Sequence, residues 1–130
     1  MMAGYTVVNL KTDVKDMAPQ FGMTGLEARF ARTNLELEKS GISYYKIEPE
    51  LRMPFGHRHA EQEEIYLVIS GSARIKIDDE ELDLKTFDAI RLAPGVVRAL
   101  ESGPEGAEVI AFGAPSNENK DVEMLPGWWE

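Results

Sequence analysis

The chain has 130 residues, with 14 lysines and arginines against 23 aspartates and glutamates, a net charge of −9, and no cysteine. Its length fits one domain, and its acidity without a basic cluster argues against a nucleic-acid partner, because phosphate neutralisation needs clustered Lys and Arg. Disulfides, thiolate nucleophiles and cysteine-ligated zinc are excluded, so nitrogen and oxygen atoms must hold any metal.

The N-terminal region reads as an arm. It has no basic flank followed by a long apolar run, and no stretch of the chain approaches membrane-spanning length. We therefore expect a cytoplasmic protein without a membrane partner. Asp13 to Ala18 predicts a helical turn or two before Pro19, and residues 20–25 read as a loop. Residues 1–34 are predicted to form an arm or partial lid, not a separate domain.

The middle of the chain reads as short strands separated by turn signals, without convincing helical periodicity. Asp78 and the three acidic residues after it predict a hairpin turn, and Gly71 is predicted to allow a tight reversal between two strands. A loop is expected at residues 101–106. The predicted strands cover residues 42–47, 65–69, 73–77, 82–84, 89–92 and 109–112. Many short strands at close spacing indicate an antiparallel sandwich or barrel.

The two histidines of the chain stand one residue apart in the segment His57-Arg58-His59. Since alternate side chains of a strand share a face, the two imidazoles are predicted to converge while Arg58 faces away. Glu64 opens the β-prone run 65–69, and we expect an antiparallel return to bring its carboxylate beside the imidazoles. Two neutral nitrogens and a carboxylate form a facial-triad donor set, so His57, His59 and Glu64 are predicted metal ligands.

The same alternation assigns neighbours to the expected cavity. Met53 and Phe55 share the face of the histidines, while Tyr66 and Val68 share the face of Glu64. Packing in the barrel core is the favoured role for all of them except Tyr66, which is a candidate ligand-binding residue because a buried phenol needs a partner. Five further residues could each reach the mouth of the cavity, but solvated surface or a sheet face is the favoured place for them: Tyr44, Tyr45, Arg52, Arg58 and Arg91.

The C-terminal tail, residues 114–130, differs from this middle. Residues 116–121 are polar and expected to be exposed, whereas Trp128 and Trp129 stand next to the last residue. Two adjacent tryptophans are costly to leave in water. We expect them to dock on this subunit or on a twin, with ligand stacking as the alternative.

The histidine pair and its surroundings resemble the first motif of the cupin family, in which His-x-His is followed after three or four residues by Glu and after six more by Gly. His57, His59, Glu64 and Gly71 fit with the four-residue spacer, and Glu63 is the alternative ligand with the shorter one. The resemblance covers about residues 43–112. It implies an all-β fold, the double-stranded β-helix or jelly-roll barrel. We expect one domain over residues 1–130, with the barrel core at about residues 35–113.

The second cupin motif fits poorly. In the family it contains Pro-x-Gly and, two residues later, a histidine that is the fourth metal ligand. Here Gly95 matches the glycine, and Arg98 stands at the position of the histidine. A guanidinium stays charged and offers only donors, so it cannot coordinate a cation. Either three protein ligands hold the metal with more open positions, or Arg98 takes the place of the metal by pairing with Glu64.

Two functions are compatible with these residues. The first, by resemblance to other cupins, is a metal-dependent oxygenase or isomerase, in which Fe, Mn, Ni or Zn binds the predicted ligands and Arg98 points into the barrel to clamp a small anionic ligand. The second is a metal-free module that binds or senses a small molecule without catalysis. A homodimer is expected, because an open sheet edge and the tail tryptophans are more apolar surface than a monomer usually exposes.

Overall fold

The computed structural model describes residues 4–117 and 120–129. In these ranges a 3-10 helix at Ala18–Phe21 precedes eight strands. They are β1 Leu26–Phe30, β2 Gly41–Ile47, β3 Phe55–His59, β4 Glu63–Ile77, β5 Glu80–Leu84, β6 Ala89–Leu92, β7 Arg98–Ala114 and β8 Val122–Pro126. The strand pairs are antiparallel, which confirms the predicted all-β barrel. No helix within the described ranges is long and apolar enough to cross a membrane.

The two longest strands, β4 and β7, form the centre of the barrel wall. β7 pairs with β2, β3 and β4, while β4 pairs with β5, β6 and β7. Much of the core consists of side chains that these two strands turn inward, namely Tyr66, Val68, Ile75, Leu100, Val109 and Ala111. The core therefore lies inside the barrel, against the inner faces of β4 and β7.

Gly71 lies inside β4 and not at a reversal between two strands. Register shifts between Val68 and Ser70, and between Gly71 and Ala73, mark irregularities in the pairing with β7. Gly71 has a φ of +70°, and a Cβ there would lie 2.0 Å from the carbonyl oxygen of Gly106. The expected tight reversal is wrong, because a bulge uses the same positive φ while the chain keeps its direction.

The N-terminal arm contributes to both the sheet and the core. β1 pairs with β2, beginning with Leu26 opposite Ile47, and Ala18 is fully buried. The helical turn expected over residues 13–18 is found instead at Ala18–Phe21, because Pro19 occupies the first turn, where a proline is favoured. The sheet thus extends beyond residues 35–113, which the sequence assigned to the barrel.

The C-terminal tail docks on its own chain. β8 pairs with β3 along the full length of both strands. The indole N–H of Trp128 donates to the carbonyl oxygen of Lys76 at 3.1 Å, and that of Trp129 donates to the carbonyl oxygen of Met53 at 3.1 Å. Of the expected places for the two tryptophans, docking on this subunit is the one that the structure shows.

Candidate metal centre

The two histidines and Glu64 come together inside the barrel. The imidazole centroids of His57 and His59 on β3 are 5.4 Å apart. Their Nε2 atoms lie 3.8 and 3.9 Å from Oε1 of Glu64, and one donor atom of each residue lies within 4.8 Å of the others. The predicted convergence of the three side chains is confirmed, while metal binding by them stays a prediction.

Glu64 lies near the histidines because the barrel is curved, and not because its strand pairs with the strand that carries them. β3 pairs with β7 and β8, whereas Glu64 lies on β4. The expected antiparallel return from His59 to Glu64 is therefore wrong. In the ladder between β4 and β7, Glu64 lies opposite Gly113 and Arg98 opposite Ile77, at the two ends. The Glu64 and Arg98 side chains nevertheless form an ion pair, because β4 and β7 are strongly curved.

Asp121 holds the ring of His59 in place. Its Oδ1 lies 3.0 Å from Nδ1 of His59, and its Oδ2 accepts hydrogen bonds from the backbone N–H groups of Glu61 and Gln62 at 3.0 and 3.1 Å. Burial raises the pKa of Asp121, but the bonds from His59 and the backbone outweigh it and lower the pKa below its usual value. A carboxylate can only accept, so Nδ1 of His59 carries the proton of this hydrogen bond and Nε2 is the atom directed towards Glu64.

The position of Asp121 corrects the sequence analysis. The sequence predicts that residues 116–121 are exposed; residues 118 and 119 lie outside the described ranges, and the Asp121 side chain is only 6% exposed. The five residues before it in the sequence are polar, so no local signal marks it as a partner of a histidine that lies far away in the chain.

Arg98 is fully buried beside the histidines, opposite His57 in the pairing of β7 with β3. Its guanidinium donates to Oε1 of Glu64, to the carbonyl oxygen of Val96 at 2.9 Å, and to the hydroxyl of Tyr66 at 3.4 Å. The predicted inward orientation of Arg98 near Glu64 is confirmed. Neither Arg98 nor Tyr66 lines the cavity. Ligand binding by these two residues stays a prediction.

Burial and pairing set the charges of this centre. Burial raises the pKa of Glu64, but the nearby His57 ring and the charge of Arg98 outweigh it, so the pKa is lowered. Burial lowers the pKa of His57, which keeps its imidazole neutral at pH 7. A carboxylate and a neutral imidazole are the protonation states in which these residues bind metals.

A cavity of about 420 Å³ lies over the two histidines and Glu64. Met53 and Phe55 line it beside the histidines, as strand alternation predicts, whereas Tyr66 and Val68 lie in the core. Tyr45 takes the alternative place, in the wall of the cavity, and not the favoured one on solvated surface or a sheet face; burial there raises its pKa. The other wall residues are Phe21, Met23, Phe30, Pro54, Val122 and Met124.

Comparison with known proteins decides the family. Residues 43–112 match a family model described as the cupin domain. The chain belongs to the cupin family. This cupin is 27% identical over 70 residues to the uncharacterized protein MJ1618 of Methanocaldococcus jannaschii, and the match spans 53% of this chain and 56% of that protein. The aligned region thus covers about half the length of that relative.

Solved structures share the fold of this cupin. A cupin protein from Bacteroides fragilis has 22% identity and a TM-score of 0.71, covering 90% of this chain and 89% of the other. Oxalate decarboxylase from Bacillus subtilis has 23% identity and a TM-score of 0.74, covering 92% and 33%. A Streptomyces PAC13 variant with uridine has 13% identity and a TM-score of 0.73, covering 96% and 92%. These likenesses show the double-stranded β-helix that the sequence predicts.

Proposed function

We propose that this cupin binds a divalent metal ion through His57, His59 and Glu64, and a small organic ligand in the adjoining cavity. The observation that carries the proposal is the hydrogen bond between His59 and Asp121, which turns Nε2 of His59 towards Glu64. Metal-binding histidines usually donate their other ring N–H to a carboxylate or a carbonyl oxygen. The arrangement therefore provides both the donors and the carboxylate that orients one of them.

The donor distances fit an ion after a small adjustment. Nitrogen and carboxylate ligands lie about 2.0–2.2 Å from a bound zinc ion, which places neighbouring donors about 3.0–3.5 Å apart. The two Nε2 atoms lie 3.8 and 3.9 Å from Oε1 of Glu64. Ion binding would therefore draw the three donor atoms, which all lie within 4.8 Å of one another, closer together. Iron, manganese, nickel and zinc all accept this mixed nitrogen and oxygen donor set.

Three protein donors leave coordination positions open for a ligand, which is typical of catalytic metal sites. A divalent ion in such a site polarises a carbonyl or carboxylate oxygen or, if it is redox-active, activates dioxygen. The largely apolar wall of this chain would hold the body of a ligand over the histidines. Oxygenase or isomerase activity on a small organic molecule therefore belongs to the proposal, and the Streptomyces PAC13 structure with uridine supports a small organic ligand in this fold.

One observation favours a second function, a metal-free module that binds or senses a small molecule. Arg98 donates to Glu64, and this ion pair satisfies the buried carboxylate without a cation. In such a module the cavity would hold its ligand against the imidazole of His57, whose side chain is 22% exposed.

Metal titration of untagged, chelator-treated protein separates the two functions. By calorimetry with Zn(II) and Mn(II) we expect one ion per chain, and binding about tenfold or more weaker after His57→Gln or Asp121→Asn. Glu123→Gln is the matched control, because Glu123 is a 56% exposed carboxylate on β8 that pairs with Arg58 on the surface. A parent protein that takes up no ion contradicts the metal proposal and supports the metal-free module.

A further inference from the structure

The cavity over the candidate centre has a polar floor and an apolar wall. Its ionisable floor consists of His57, His59 and Glu64, and among residues 4–117 and 120–129 no lysine or arginine lines it. Three of the chain's six methionines and three of its five phenylalanines lie in the wall. They are Phe21, Phe30, Phe55, Met23, Met53 and Met124. A wall so rich in these two residue types favours a ligand with an apolar body.

The aromatic and methionine side chains of the wall can pack against a ring of a bound ligand. Phe30 contacts Phe21 and Tyr45 edge to face, with ring centroids 6.4 and 6.1 Å apart. Methionine side chains are flexible and polarisable, so they adapt to an aromatic surface. A cavity of about 420 Å³ also lies within the range of about 300–1,000 Å³ that is usual for ligands larger than a two- or three-carbon acid.

The net charge of the floor together with Asp121 and Arg98 changes sign when a divalent ion binds. Glu64 and Asp121 each carry a negative charge, and buried Arg98 carries a positive charge that stays at all relevant pH values. Histidines that bind a metal are neutral. With both imidazoles neutral, as metal binding requires, these side chains carry one net negative charge, which a divalent ion changes to one net positive charge. An uncompensated charge beside an apolar wall is unfavourable, so the loaded centre favours one anionic donor from a ligand.

We propose that the cavity binds a monoanion with an apolar, ring-sized body, and that this anion and the metal ion strengthen each other's binding. The inference rests on the proposed metal site and adds the class of ligand that the site accepts. The anionic head lies at the floor and the body lies among the phenylalanines and methionines. Arg98 sets the charge, because a neutral side chain at its position would leave the loaded centre without net charge.

Three related probes test the head and the body separately. We expect 3-phenylpropanoate to bind zinc-loaded protein about tenfold or more tighter than metal-free protein, and about tenfold or more tighter than propanoate, which lacks the ring. The neutral 3-phenylpropan-1-ol is expected to bind with an affinity that zinc changes by less than about threefold. Calorimetric titration of each probe into protein with and without zinc gives these ratios.

A matched pair of variants tests the place of the body. Met124→Gln alters a 51% exposed wall residue on β8 and is expected to weaken 3-phenylpropanoate several-fold while leaving zinc affinity unchanged. Leu82→Gln, at a 40% exposed apolar residue of β5 outside the cavity, is expected to change neither.

The outcomes separate this inference from the function beneath it. Equal affinity for 3-phenylpropanoate and propanoate, or equal affinity of 3-phenylpropanoate with and without zinc, overturns the ligand class and leaves the metal site standing. Failure of the parent protein to bind zinc overturns the proposed function, and the ligand class falls with it.

Discussion

Arg98 gives the centre of this cupin its particular chemistry at the scale of single residues. The guanidinium is fully buried and donates to the same Glu64 oxygen that faces both histidines. A metal ion at the centre would share that oxygen with Arg98 and would experience repulsion from a positive charge a few ångströms away. Arg98 therefore stabilises Glu64 in the absence of an ion and weakens the site for a cation.

Replacing Arg98 by histidine tests this balance. We expect Arg98→His to raise zinc affinity about tenfold or more, because the change adds a nitrogen donor and removes a positive charge. Calorimetric titration is the measurement, and Arg98→Gln is the control that removes the charge without adding an imidazole. Circular dichroism establishes that both variants fold, since removing one partner of a buried ion pair is destabilising. A folded Arg98→His protein with the affinity of the parent would show that residue 98 does not face the ion.

At the scale of elements, the bulges in β4 change which residues face the core. Before the irregularities the inward side chains include Tyr66 and Val68, and after them they include Ala73 and Ile75, so the inward positions pass from even to odd numbers. Alternation therefore predicted the neighbourhood of Glu64 well. It does not hold across Gly71, because the pairing with β7 shifts register on both sides of this residue and the inward positions change parity. The sequence marks Gly71 but does not distinguish a bulge from a hairpin.

The bulge makes Gly71 a position where even a methyl group is unfavourable. We expect Gly71→Ala to lower the free energy of unfolding by about 2 kcal/mol or more, since a Cβ would lie 2.0 Å from the backbone oxygen of Gly106. Gly95→Ala is the matched control. Gly95 also has a positive φ, of +87°, but its Cβ would meet nothing within 4 Å, so we expect a loss of about 1 kcal/mol. Urea denaturation measures both, and equal losses would mean that the bulge relaxes around the methyl group.

At the scale of the whole molecule, the site combines residues that the sequence predicts with residues that it does not. His57, His59, Glu64 and Arg98 could be found because strand alternation and motif spacing are local properties of the chain. Asp121 could not, because the tail reaches His59 only after β8 pairs with β3. Tyr45 and the wall of the cavity likewise depend on closure of the barrel, which no local pattern encodes.

Docking of the C-terminal tail changes the argument for a homodimer. Trp128 and Trp129 dock on their own chain, so they no longer support association. The remaining apolar surface includes Tyr5 and Val7, which are 79% and 85% exposed, and Phe112 on β7, which is 37% exposed. Exposed apolar side chains of this size, together with the position of β1 at the end of the sheet, favour contact with a second copy.

We therefore expect light scattering at micromolar concentration to give twice the 14.5 kDa mass of the chain. The double variant Tyr5→Glu with Val7→Glu is expected to give the single-chain mass, because two charges would be buried without partners in an interface formed by the N-terminal arm. Leu82→Glu, at an exposed apolar residue of β5, is the control and should remain dimeric. A parent protein of single-chain mass contradicts the dimer. A double variant that stays dimeric would instead assign the interface to the outer sheet face, where Phe112 lies.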